Sequence, residues 1–295
     1  MQRVSVQDQI SGNIWRSFFL GFIVFMFILA FGALVGYLYD PALALGITFI
    51  ALIISMAYTV FSYYYSDKIV LASVKAKPAD PKKHKHLINV VEGLAIAGGI
   101  PKPRVYVMES QDINAFATGR DPKHGVVVVT SGMLELLNRS ELEGVIAHEL
   151  SHIKNYDIRF ATLIAVMVGM IAIASDIFLR SLRFGGGDRE SGKAAIIFII
   201  IGLVLAILAP ILTRLVQLAI SRKREFLADA SGAYMTRYPE GLASALEKIS
   251  KQNKGMKVSG AVSHLFFADT TLKKVSSLFS THPPIEERIR LLRQM

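Results

Sequence analysis

The chain has 295 residues, is 52% hydrophobic with a mean hydropathy of +0.43, and contains no cysteine. Ordinary globular usage is about 45–50% apolar even with glycine counted, and here the excess is gathered in blocks, which excludes a typical soluble domain and points to membrane spans. Disulfides and thiolate metal ligands are excluded, and a formal net charge of +10 without any nucleic-acid motif suits an anionic cytoplasmic leaflet rather than DNA or RNA.

Residues 1–17 form a short amphipathic lead-in. Residues 18–39 carry no charge, and about 20 such residues, rising 1.5 Å each, cross a hydrocarbon core of about 30 Å. No cleavable signal peptide is expected, since this block is long and lacks a small-residue cleavage site at its end. Asp40-Pro41 is a minimal turn, and residues 42–65 form a second uncharged block ending in the interfacial cluster Tyr63-Tyr64-Tyr65. Residues 18–65 therefore read as a transmembrane hairpin. The lysine-rich stretch that follows, from Lys68 to Lys85, places this side in the cytoplasm by the positive-inside rule. His84 and His86 face different ways at i, i+2 and are read as a solvated helix start rather than a metal site.

A short helix is expected over residues 87–97, closed by Gly98-Gly99, followed by strands over 104–108, 114–118 and 125–130. A strand beside a cleft can pair with an extended substrate, but a plain structural sheet is the simpler reading of these residues. Then comes His148-Glu149-Leu150-Ser151-His152. On a helix, His148 and His152 share one face a turn apart and can hold one metal. Glu149 stands beside them, able to take a proton from an attacking water, which is the H-E-x-x-H pattern of zinc metalloproteases. Ser140 and Glu143 fit a capping box that starts this helix.

Residues 158–220 hold two further apolar blocks around a hydrophilic loop at 180–193, with Pro210 expected to kink the second. They read as a second transmembrane hairpin, whose two crossings return the chain to the cytoplasm despite the basic residues in the loop. A catalytic zinc needs three protein ligands and one open position. The return helix supplies Glu225 as the third, and Asp229, one turn on, can accept the free N–H of a ligand imidazole. A helix over 239–251 and a short basic C-terminal helix complete the chain.

Four ordered motifs make the chain similar to the HtpX family of membrane zinc metalloproteases, relatives of the CAAX prenyl protease Ste24 and of the mitochondrial protease Oma1. They are Asn114-Ala115-Phe116-Ala117-Thr118-Gly119, the run from Glu141 to Asp157, Glu225 with Asp229, and Ser280-Thr281-His282-Pro283-Pro284 with Arg288. The resemblance implies one Zn²⁺ per chain on His148, His152 and Glu225, with Glu149 as general base. It implies that Asn114, Ala115 and Phe116 lie along the substrate, reversing the simpler reading of that strand. It also makes His282, otherwise a turn residue, and Arg288 candidates for transition-state support.

The fold expected is a mainly α membrane protein. About four transmembrane helices in two hairpins would carry a cytoplasmic α+β, gluzincin-like protease domain with a small β-sheet, split between residues 66–157 and 221–295. The expected function is hydrolysis of misfolded or damaged membrane proteins, or of other unfolded polypeptides, at the cytoplasmic face of the cell membrane. Rival readings are a narrow-specificity processing protease and a zinc-stabilised scaffold without turnover. The scaffold is disfavoured because a structural site needs no base and usually has four protein ligands. A transporter is disfavoured because the spans carry few ionisable residues.

Overall fold

A computed structural model describes residues 40–166, 222–252, 265–267 and 283–295, with isolated positions between 11 and 37 and at 202 and 262. Nearly all of the expected second hairpin and His282 lie outside the described residues. The described positions between 11 and 37 are helical.

Helix α1 (Ala44–Ser73) has 30 residues and is, among the described residues, the one helix long and apolar enough to cross a membrane. Its outer face presents large apolar side chains such as Phe49, 61% exposed, with Ile50, Ile53, Ile54 and Met56. Water does not tolerate so continuous an apolar surface on a folded monomer, whereas lipid does. The packed face carries small residues, Ala51, Ser55, Ser62 and Ser66, which permit close helix approach. The helix does not stop at the tyrosine cluster, where the apolar block ended. It runs on through buried Asp67, which is ion-paired with Arg104, to Val70 and Leu71, which pack on the sheet. Packing on the sheet supplies the burial that the apolar block no longer needs to supply by itself, so the helix continues past the charge.

The sheet has four strands, β1 (Lys77–Pro78), β2 (Arg104–Met108), β3 (Ala115–Thr118) and β4 (Val126–Thr130), in the order β1-β2-β4-β3. β2 and β4 run parallel, with Arg104 opposite Val126, while β1 and β3 pair antiparallel at the edges. Both faces are covered. Val107, Ala115, Ala117, Val127 and Val129 meet the main core, and Phe116, Val126 and Val128 meet the end of α1 and residues 265–266. This explains four consecutive valines, because a strand buried on both sides needs no polar alternation.

Helix α2 (Lys85–Gly98) ends on the left-handed Gly99, where expected, and starts beside the half-buried His84, with His86 exposed in its first turn. After α3 (Ser131–Leu136), α4 (Arg139–Lys154) runs through the middle of the core, with Val145, Ile146, Ala147, Leu150 and Ile153 fully buried. It is enclosed by α2, β3, α5 (Arg222–Thr236) and α6 (Pro239–Gln252), and α7 (Ile285–Leu292) closes against α6 and α5. The capping box of α4 is built from Asn138 and Glu141, not Ser140 and Glu143. Asn138 Oδ1 accepts from Glu141 N at 3.0 Å, and Asn138 N donates to Glu141 Oε2 at 2.9 Å. Glu143 pairs instead with Arg139 at 2.8 Å. Asparagine caps as well as serine, and Lys248 of α6 binds the buried Glu141 at 2.8 Å, fixing the earlier register.

Candidate metal centre and active site

The i, i+4 spacing on α4 aims His148 and His152 the same way, with their Nε2 atoms 3.1 Å apart. Helix α5 crosses α4 beside them. A Cβ added to Gly232 would lie 3.0 Å from His148 N, so glycine sets how closely the two helices approach. That approach brings Glu225 to the pair, Oε2 3.7 Å from His148 Nε2 and Oε1 3.5 Å from His152 Nε2. One ligand atom from each of the three residues lies within 4.8 Å of the others. Ligands about 2.0–2.1 Å from a tetrahedral ion stand roughly 3.3–3.4 Å apart, so two imidazoles and a carboxylate at this spacing fit zinc with its fourth position open.

Behind each imidazole stands a carboxylate. Asp229, one turn after Glu225, places Oδ1 2.9 Å from His148 Nδ1, and Asp157 places Oδ2 3.0 Å from His152 Nδ1. Each Nδ1 therefore keeps its hydrogen, and the Nε2 of each ring is the atom left facing Glu225. Arg288 of α7, 1% exposed, forks onto Asp229 with Nε at 2.8 Å and Nη2 at 2.7 Å. Its Nη1 lies 4.0 Å from Glu225 Oε2. Phe267 stands edge-on to the His148 ring, centroids 4.9 Å apart, and beneath the Arg288 guanidinium. Asp157 is reached because Tyr156 takes a left-handed φ of 59°, turning the chain back at the end of α4. Arg224 of α5 reaches the same carboxylate at 3.4 Å.

The charges follow from this packing. Burial lowers His148 to about 4 despite the pull of Asp229, which favours the neutral ring that a metal requires. Burial also acts to lower His152, but the Asp157 hydrogen bond and the charges of Glu225, Asp157 and Glu149 outweigh it and hold the ring at about 9. Near neutral pH His148 is thus neutral while His152 carries the proton. Burial alone would raise Asp229, yet Arg288 and His148 bring it down to about 2, and the surrounding carboxylates keep Arg288 charged. Glu149 is buried in the same turn, close enough for its charge to act on both His152 and Arg288.

Residues 81–295 match the family model described as Peptidase family M48. The chain belongs to peptidase family M48. Its relatives include a Protease HtpX homolog of Caldanaerobacter subterraneus subsp. tengcongensis, 51% identical over 85% of each chain. Another, from Dictyoglomus turgidum, is 46% identical over the whole of this chain and 96% of its own. A third, from Streptococcus uberis, is 41% identical over 98% and 99%. The crystal structure of S. mikatae Ste24p shares the fold at a TM-score of 0.50 and 18% identity, covering 96% of this chain and 66% of that one. The HtpX resemblance read from the motifs is thus borne out. Membership in M48 makes the chain a membrane metalloprotease, and the His148, His152 and Glu225 group is where it could hold its metal.

The other expected site residues fall into place unevenly in this M48 chain. Asn114 and Ala115 lie at the start of edge strand β3, and Ala115 and Ala117 turn their backbone groups away from β4. The Ala115 positions are already used, its N–H by Asn114 Oδ1 at 3.1 Å and its carbonyl by Phe267 N–H at 2.8 Å. Ala117 is the next outward-facing position. The Phe116 side chain points into the sheet's second face, against Phe266. Arg288 sits on the Nδ1 side of His148 rather than at the Nε2 side where ligand atoms converge. Sequence reasoning gave no role to Asp157, Arg224 or Phe267. An acid just past the end of a helix bearing ligand histidines was the available signal for Asp157. Nothing local marked Phe267.

Proposed function

We propose that the protein is a multi-pass zinc endopeptidase of the cell membrane that cuts misfolded or damaged membrane proteins at the cytoplasmic face. The observation that carries this reading is the convergence of His148, His152 and Glu225 within 4.8 Å, beside Glu149, on a chain of the M48 family. One Zn²⁺ per chain would be held by these three residues, and when bound it acidifies water and polarises a carbonyl.

The chain's own groups do the rest. Glu149 takes a proton from the attacking water and returns it to the leaving amine. Asp229 and Asp157 fix the imidazole tautomers, and Arg288 keeps Asp229 ionised. The strand of Asn114, Ala115 and Phe116 lies along an extended substrate, with the outward-facing backbone of Ala117 pairing with it. His282, together with the positive charge of Arg288, supports the oxyanion.

Exposed apolar α1 and the apolar block before it support a first hairpin, 18–65, after the lead-in of 1–17. The block composition of 158–220 supports a second. The two catalytic parts, 66–157 and 221–295, would then share the lysine-rich, cytoplasmic side. The partners are unfolded polypeptides and the bilayer, not nucleic acid.

The test is a reconstituted one. The protein is placed in proteoliposomes with a destabilised membrane protein or its folded parent, and fragments are mapped. Since the chain has no cysteine, a single cysteine at exposed Lys82 also reports orientation by labelling from one side. Cleavage of the destabilised form alone, on the side where position 82 labels, is the expected result. Cuts on the opposite side, or equal cutting of the folded parent, would refute the reading.

A further inference from the structure

A crevice of about 540 Å³ lies between the first apolar block, α1 and the helical stretch 157–166, outside the metal centre. Its walls include Phe18, Phe22, Phe25, Tyr58, Val60 and Leu163, and no charged side chain lines it. The volume is that of a small-molecule site, and the lining suits hydrocarbon.

Its mouth is different. Tyr63 and Tyr64 form part of the wall, and each carries a guanidinium. Arg159 lies over Tyr63 with Cζ 5.7 Å from the ring centroid, and Arg120 lies over Tyr64 at 4.9 Å. Arg159 is one helical turn before Leu163, so it stands where the apolar wall ends. It is only 9% exposed, its Nε donates to the Arg120 carbonyl at 2.6 Å, and among the described residues no carboxylate comes within ion-pair distance of it. Arg120 has Asp121 at 3.6 Å, but that carboxylate already accepts from His124 N and pairs with its ring. Two guanidiniums thus stand at the rim of an uncharged slot, and only that of Arg120 has a carboxylate, Asp121, beside it. A nearly buried cation without a counter-charge is costly, and an anion arriving there relieves the cost.

We propose that this crevice binds an anionic phospholipid, with an acyl chain in the apolar slot and the phosphate between Arg120 and Arg159. The inference rests on the membrane reading of α1 and is otherwise independent of proteolysis. Arg159 lies two residues after Asp157, so the lipid would brace the same short stretch that holds His152 in place.

The experiment uses the full chain purified in detergent, with lipid binding followed by native mass spectrometry and by thermal unfolding. The probes are phosphatidylglycerol, phosphatidylcholine with the same chains, and inorganic phosphate. Phosphatidylglycerol should bind at least about tenfold more tightly than phosphatidylcholine and raise the unfolding temperature, while phosphate alone should do neither. Arg120→Gln with Arg159→Gln should abolish the preference, and Arg159→Lys should restore part of it. Gly21→Phe is the second, independent variant. A Cβ there meets nothing within 4 Å, so the ring fills the slot without displacing backbone, and binding of both lipids should fall at least about tenfold. Equal binding of the two lipids overturns the proposal. So does binding untouched by Gly21→Phe, or a response to phosphate matching that to phosphatidylglycerol. Flotation with vesicles separates the two readings. A chain that floats but shows no lipid preference refutes only the site, whereas one that stays in solution without detergent refutes the membrane reading as well.

Discussion

Asp229→Asn exposes how the metal centre is held. Three donors, His148 Nδ1–H and the Nε and Nη2 of Arg288, converge on two carboxylate oxygens at 2.9, 2.8 and 2.7 Å. An amide of the same size keeps one acceptor oxygen and points an NH₂ group at a donor. It also leaves the buried Arg288 to pair with Glu225, 4.0 Å away. Removing one partner of a buried ion pair costs about 3–5 kcal/mol. Loss of the carboxylate behind a ligand imidazole weakens metal binding roughly 10–100-fold, which removes about 1.4–2.7 kcal/mol of zinc-dependent stabilisation at saturating metal. Thermal unfolding with and without zinc, beside chelator competition, reads both terms. The double variant Asp229→Asn with Arg288→Met removes both buried charges and should cost clearly less than the two single changes added together. Strict additivity, or a single variant with unchanged zinc affinity and stability within about 0.5 kcal/mol, would refute the reasoning.

Zinc affinity should rise with pH. His152 titrates at about 9 against the usual 6.5, so its protonated form contributes stability that is complete below 6.5 and fades as pH rises through about 9. Zinc must displace that proton, and chelator competition should show affinity climbing about tenfold per pH unit before flattening near 9; a flat profile from 6.5 to 9 would contradict the assignment. Gly144→Ala should destabilise by about 1–3 kcal/mol, since its Cβ would lie 2.6 Å from Leu242 N and 2.8 Å from Leu242 Cα on α6. Gly93→Ala, in exposed helix with nothing within 4 Å, should instead stabilise by up to about 1 kcal/mol, and thermal unfolding compares the two. Asp157→Asn should lower the His152 pKa and weaken zinc binding about 10–100-fold, read by imidazole titration and chelator competition.

The elements legible in the sequence are those whose cause is local. Helical spacing placed His148 and His152, glycine marked the end of α2, and the spacing of Glu225 and Asp229 on one face put both at the site. What escaped depends on distant contacts. Asn138 and Ser140 are both good caps, and only Lys248, far along the chain, shows which register is used. The extension of α1 to Ser73 follows from packing on a sheet not yet formed when its residues are read. β1, only two residues long, has no pattern of its own and exists because β2 offers an edge. Phe267 and Asp157 reach the imidazoles through turns, and a turn's direction is not written in hydropathy.

The measurement that tests the central claim most directly is hydrolysis of an unfolded reporter protein by the detergent-purified chain. The chain is stripped with a chelator, reloaded with zinc, and run beside Glu149→Gln with zinc content measured in both. The account predicts that cutting stops with the chelator and returns with zinc. It also predicts that the Gln variant binds zinc equally while losing at least about 10²-fold in rate. Cutting that survives metal removal, or a Gln variant that binds zinc and cuts at the parent rate, would contradict it.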